Sequence, residues 1–263
     1  MSYKVIILAI PGIGTHQAGF AKDFRNDIKR FAKGSILENN YNIIEAIPFA
    51  QTGVDLNQEA IFSRLNTDNK LGGILSLRKF VIEAFGDGVT FERNASSSNS
   101  VYRKVHNNIK EKIKEVNNLK DLNPDAKIVI VAASMGVHLL STYIWDADNS
   151  KGIFENQIAT EKENLKNLDY LFSIGCNIPL FVSGMAESEI KPFAKRNNNF
   201  KWDNYYDRDD VLGWPLADIN NEYNELVNDI EINTGQYIGS HVRYWKDNDF
   251  TKPFVKSLIS LIS

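Results

Sequence analysis

Five short apolar or aromatic runs, each bounded by turn residues, set the frame for this chain. They are Lys4–Ile10 (KVIILAI), Asn42–Ile47 (NIIEAI), Lys127–Ala132 (KIVIVA), Leu168–Ile174 (LDYLFSI) and Trp202–Tyr206 (WDNYY). Near-continuous runs of this length predict strands buried on both faces, as a parallel sheet covered by helices requires. Helical spacing fills the gaps: Phe20, Phe24, Ile28 and Phe31 follow the first run, and Val101, Val105, Ile109, Ile113 and Val116 precede the third. The alternation predicts an α/β fold, a doubly wound, mostly parallel sheet of about five to six strands with helices on both faces. Right-handed crossovers would set the first and third strands side by side at the switch point, with their C-terminal ends opening into one crevice.

At 263 residues, 43% hydrophobic and 24% charged, the chain can bury one large core, and a single domain over residues 1–263 is expected. Between the second and third strands lies a helical excursion, roughly residues 51–98, which runs into the polar tract NASSSNS at 94–100. Its stretch GGILSLRKFVIEAFGDG is apolar enough for a helix, either an ordinary covering helix or a flap over the crevice. Residues 146–167 are polar and read as a surface loop with a short helix.

A formal charge of −3 and a pI near 5.9 give no electrostatic reason to expect nucleic acid or an anionic membrane as a partner. The N-terminal apolar run meets Pro11 and Gly12 too early to span a bilayer, so no integral membrane segment is expected there. Cys176 is the only cysteine, which precludes an internal disulfide and fits a reducing, cytoplasmic setting.

The third run continues as AASMG, and Ser134 falls where a strand becomes a helix. A serine raised on such a turn needs small residues two places to either side, and Ala132 and Gly136 supply them. The N–H of Met135 is then a natural donor to an oxyanion. The first run ends in AIPGIGTHQ, where Gly12 and Gly14 let the backbone approach a bound group and the Ile13 N–H could be a second oxyanion donor. A dinucleotide reading of this loop is poor, because Gln17 stands where G-x-G-x-x-G needs its third glycine and the second strand ends at EAIPFA with no acid placed for a ribose. No P-loop sequence is present.

Of four histidines, His106 lies beside Asn107 and Asn108 and is expected at the surface. His138, one turn beyond Ser134 on the same helix, should point into packing. His16 could line the site or cap the next helix. His241, in a late loop, is placed to serve as the base. The acid should come between them, where YDRDDVLGWPL offers Asp207, Asp209 and Asp210. Asp210 is preferred because apolar residues follow it and would anchor it inward, with Asp209 second; three aspartates after a strand could equally be a solvated turn or a weak cation site.

Taken together, IPGIGTHQ, AASMG, DDVLGWP and GSHVRYW, in that order, resemble the oxyanion loop, nucleophile elbow, acid turn and histidine loop of the α/β-hydrolase superfamily, in particular its small bacterial lipase/esterase-like members. Pro11 and Ala132 depart from the common pattern, and no strand precedes Lys4, which implies a shortened sheet. SIGCNIPLF is similar to the glycine turn after the next strand of such proteins, which puts Cys176 at the crevice edge as a packed residue. The resemblance implies hydrolysis of a small-molecule or lipid-like ester through Ser134, Asp210 and His241, with no metal or organic cofactor. Gly12, Gly14, His16 and Trp214 would lie near the substrate, and Tyr237, Tyr244 and Trp245 could line an apolar pocket or pack the core. Acyl transfer with the same residues, or a silent binding protein of the same fold, are the alternatives. Oligomeric state is not legible.

Overall fold

The computed structural model of the chain describes residues 2–14, 16–69, 75–92, 97, 100–235 and 240–263. Six strands form one all-parallel sheet in the order β2-β1-β3-β4-β5-β6: β1 Val5–Ile10, β2 Tyr41–Glu45, β3 Lys127–Ala133, β4 Tyr170–Ile174, β5 Lys201–Tyr206 and β6 Asn228–Glu231. Helices α1 (Lys22–Ala32), α2 (Val54–Asn69), α3 (Leu75–Glu92), α4 (Val101–Leu122), α5 (Met135–Asn149), α6 (Ile178–Val182), α7 (Asn221–Leu226) and α8 (Asn248–Ile262) flank it. This is consistent with a shortened α/β-hydrolase-like fold. No helix among the described residues is long and apolar enough to cross a membrane.

The continuous apolar runs are explained by a core on both sides of the sheet. Because side chains alternate along a strand, Ile6, Leu8 and Ile10 of β1 join Ile128 and Ile130 of β3 in a core shared with α4 and α5. Val5, Ile7 and Ala9 join Val129 and Val131 on the other face, against Phe24 and Ile28 of α1 and Phe250, Phe254 and Leu258 of α8. Burying each such side chain stabilises by roughly 1.5–3 kcal/mol, so slipping a strand by one residue would exchange two packed faces at once.

Strands β1 and β3 are neighbours, with Ala9 opposite Val131 and Ile10 opposite Ala132. The register brings the loop after β1 level with the residue that follows β3. On the other side Ala133 pairs with Ile174 of β4. Three chain ends therefore meet at one edge of the sheet, where the order of strands changes direction.

Two differences from the sequence expectation have plain causes. The sixth strand is a short, half-exposed edge (NDIE) that lacks an apolar run. Helix α5 carries on to Asn149 rather than giving way to a loop at 146, because Asp146 and Ala147 face inward and Asp146 Oδ2 accepts a 2.8 Å hydrogen bond from the Tyr102 hydroxyl. The excursion contains α2 and α3, and α3 leaves Val81, Phe85 and Val89, spaced four apart on one face, exposed. The start of the GGILSLRKFVIEAFGDG stretch (72–74), most of the 94–100 tract and Tyr237 lie outside the described residues.

Candidate active site

Ser134 joins β3 to α5 at φ 50°, ψ −126°, a conformation that L-residues rarely adopt and that persists only where the surroundings impose it. Here they do. Its N–H donates to the Ile174 carbonyl at 2.9 Å, so the turn is anchored to β4. A Cβ on Gly12 would stand 2.6 Å from Ser134 Cβ and 3.1 Å from its Oγ, and one on Gly136 would run into the Pro11 carbonyl oxygen. Glycine is thus required at 12 and 136 by close approach. At position 132 the chain is inside the sheet, and alanine fits fully buried.

His241 lies in a short 3-10 turn, Ser240–Val242, and faces this serine. Its Nε2 is 2.6 Å from Ser134 Oγ, and its Nδ1 is 2.8 Å from Asp210 Oδ2. With Nδ1–H donating to the carboxylate, Nε2 is left to accept the serine hydroxyl proton. Asp210 is 5% exposed, and Asp209 takes no part in this line. The structure thus brings Ser134, His241 and Asp210 into one hydrogen-bonded chain.

What holds Asp210 in place was not apparent from the sequence. Its Oδ1 accepts from the Leu212 N–H at 3.0 Å, and its Oδ2 also accepts from the buried Tyr244 hydroxyl at 3.0 Å. Tyr244 OH in turn accepts from the Asp207 N–H at 2.9 Å. Burial, then the charge of Asp210, raises the Tyr244 phenol pKa, so it stays a donor. Tyr244 therefore steadies the carboxylate from below and does not line a pocket. Asp207 carries the loop joint: its Oδ1 accepts from Asp209 N–H at 2.9 Å and its Oδ2 from Thr234 N–H and Oγ1 at 2.7 and 2.8 Å. Burial pulls its pKa up, but those donors outweigh it and leave it below the ordinary carboxylate value. Asn204, fully buried on β5, donates to Asp229 at 2.7 Å and to the Trp214 carbonyl at 3.0 Å, pinning the far end of the acid turn. The only signal for it in the sequence was a polar residue inside a strand.

The loop after β1 supplies the opposite wall. Met135 is the first residue of α5, so its N–H is among the four that have no partner inside the helix. The Gly14 N–H is directed away, to Asp87 Oδ2 of α3 at 3.0 Å, and Asp87 Oδ1 accepts from Gln58 of α2 at 2.7 Å. A fully buried carboxylate therefore ties the helical excursion to this loop. His16 folds back on its own loop, with Nε2 3.1 Å from the Ile13 carbonyl oxygen and its ring edge-on to Phe20; α1 has no side-chain cap.

The remaining assignments divide. His138 is buried, stacks on Phe181 with ring centroids 4.0 Å apart, and binds Glu92 at 2.8 Å, in packing as expected. His106 is not at the surface: it is completely buried between α4 and α5, because its position shares the face of Tyr102, Ile109 and Ile113 despite the asparagines beside it. Cys176 is buried, and burial pushes its thiol pKa up to about 12, which leaves it protonated near neutrality. The Trp214 side chain is half-exposed, while its N–H donates to the Cys176 carbonyl at 2.8 Å; Trp245 packs on Phe20 and Phe24. Beside Ile13 a cavity of about 530 Å³ opens between α3 and α6. No group of three or more His, Cys, Asp or Glu side chains suited to a metal occurs among the described residues. Comparison of the sequence with protein-family models and with curated proteins gives no match.

Proposed function

We propose that this chain is a serine hydrolase of carboxylic esters, similar to the small lipase/esterase-like members of the α/β-hydrolase superfamily. The observation that carries the reading is the unbroken line Asp210 Oδ2, His241 Nδ1, His241 Nε2, Ser134 Oγ, with contacts of 2.8 and 2.6 Å. It ends on a serine whose backbone is held at φ 50°.

The chemistry follows from the positions. Ser134 Oγ attacks the ester carbonyl carbon while His241 Nε2 takes its proton, and Asp210 stabilises the imidazolium and holds its tautomer. The oxyanion of the tetrahedral intermediate is met by the N–H groups of Met135 and Ile13. His241 then gives its proton to the leaving alkoxide, and an acyl-enzyme remains on Ser134. Water, deprotonated by His241, releases the acid by the same path. A fluorophosphonate probe tests the reading: the wild-type protein is expected to be labelled on Ser134 and Ser134→Ala left unlabelled. Equal labelling of the two would remove it.

A further inference from the structure

The cavity beside Ile13 is walled by α3 and α6 and, among its described lining residues, is apolar at Ile13, Phe85, Val89, Leu180, Phe181 and Leu212. Glu92 is the only ionisable residue among them, and it is committed to His138 at 2.8 Å. Ile13 follows Gly12, which is packed against Ser134, and Leu212 is bound through its N–H to Asp210. The cavity therefore opens beside the immediate neighbours of Ser134 and Asp210. Because His241 must protonate the departing oxygen, the alcohol part of an ester lies toward the His241 loop. The cavity is walled by α3 and α6, with Ile13 and Leu212 at its inner end.

We infer that this cavity holds the acyl chain of a medium-chain ester, and that Gly88 sets the length of chain it takes; this rests on the serine-hydrolase reading above. At about 530 Å³ the cavity is in the range of sites that take an organic group of several to a dozen or so heavy atoms. Gly88 lies in the interior of α3, where glycine is a poor helix former. Nothing about its backbone calls for glycine. A Cβ there would stand 3.2 Å from the Phe181 ring, so that Phe181 would have to give by a few tenths of an ångström, and a larger side chain would enter the cavity. Phe181 is held in turn by its stack on His138, so this wall does not simply fold away. The acyl group stays in the site through both half-reactions, its bond to Ser134 forming in the first and breaking in the second, and gains from a lined pocket throughout, whereas the alcohol leaves after the first.

Two substrate series test the inference, p-nitrophenyl esters from acetate to palmitate and acetate esters of alcohols of increasing length. For the wild type, kcat/KM is expected to peak near octanoate to decanoate. Gly88→Leu should lose at least tenfold on decanoate while staying within about threefold on acetate and across the alcohol series. Leu180→Trp, at a half-exposed position on the opposite wall, should shift the preference the same way without relying on Phe181 giving way. Wild-type preference for acetate, uniform loss across both series, or a shift confined to the alcohol series would overturn the inference. A short-chain fluorophosphonate separates the two levels of argument. Labelling of Ser134 without chain-length dependence sinks only the acyl pocket, whereas absence of labelling sinks the hydrolase reading on which it rests.

Discussion

Among the described residues two lines of hydroxyl, imidazole and carboxylate can be compared. Ser134, His241 and Asp210 form one at the sheet edge, with contacts of 2.6 and 2.8 Å. Thr142, His106 and Asp146 form the other between α4 and α5, with His106 Nε2 3.2 Å from Thr142 Oγ1 and Nδ1 3.5 Å from Asp146 Oδ2. The residue types nearly coincide, and the backbone makes them different. Thr142 lies within a regular helix and spends its hydroxyl proton on the carbonyls of His138 and Leu139, at 3.0 and 3.1 Å. Its lone pair then accepts from His106 Nε2–H, so the proton points the opposite way from that of Ser134. Asp146 already accepts from Tyr102, and its contact with His106 Nδ1 is too long for a hydrogen bond. His106 is wholly enclosed, and burial, outweighing Asp146, lowers its pKa. The core line packs two helices together. The edge line leaves a serine raised on a turn beside the N-terminus of α5.

Substitutions should separate the two lines. Ser134→Ala or His241→Ala should lower kcat on a p-nitrophenyl ester by about 10⁵–10⁶ with little change in melting temperature, since groups acting as a unit fail together. Asp210→Asn should lower kcat by about 10⁴, because the imidazole loses its tautomer and its counter-charge. Turnover that survives either change would break the comparison from the active side. His106→Ala should do the reverse. Denaturant titration is expected to show a loss of about 2–4 kcal/mol in stability, from a cavity and unpaired neighbours, with kcat of the folded protein within about twofold of wild type. A kcat loss at constant stability would give the core line a role it lacks here. Tyr244→Phe, which leaves Asp210 one donor short and the Asp207 N–H unpaired, should cost about 1–3 kcal/mol in stability and on the order of tenfold in kcat.

The smallest effect is in pH. Burial lowers the pKa of His106 from its ordinary 6.5, so it takes up a proton less readily when folded than when unfolded. Around and below 6.5 the unfolded chain therefore binds more of this proton than the folded one. Stability from this group is full above 6.5 and falls as the pH drops through and below it, by at most about 1.4 kcal/mol per unit for one proton. Wild type should show this decline between pH 7 and 5.5, and His106→Gln should lack that component. An unchanged slope in His106→Gln would contradict the assignment.

The sequence was most legible where burial is two-sided. Strands β1 and β3 read as near-continuous apolar runs because each is buried on both faces, and the half-exposed NDIE of β6 has no such run. The order of loop, elbow, acid turn and histidine loop pointed to Ser134, Asp210 and His241, since each follows a strand end that the topology gathers at one edge. Asp209 and Asp210 were separable only through the fold, which turns one of them onto His241. His106 was misjudged by its asparagine neighbours, although its spacing from Tyr102, Ile109 and Ile113 marked a buried face. Asp87 had a local mark, a charge between two glycines inside a helix. Its partners, the Gly14 N–H and Gln58, are distant in sequence and met only in three dimensions.

The central claim is that Ser134 carries the acyl group. Rapid acid quenching during turnover of a p-nitrophenyl ester, followed by proteolysis and mass spectrometry, measures it directly. The account predicts one acyl increment, on the peptide containing Ser134, absent from Ser134→Ala. Turnover with the acyl group on another residue, or ester cleavage that persists undiminished in Ser134→Ala, would contradict it.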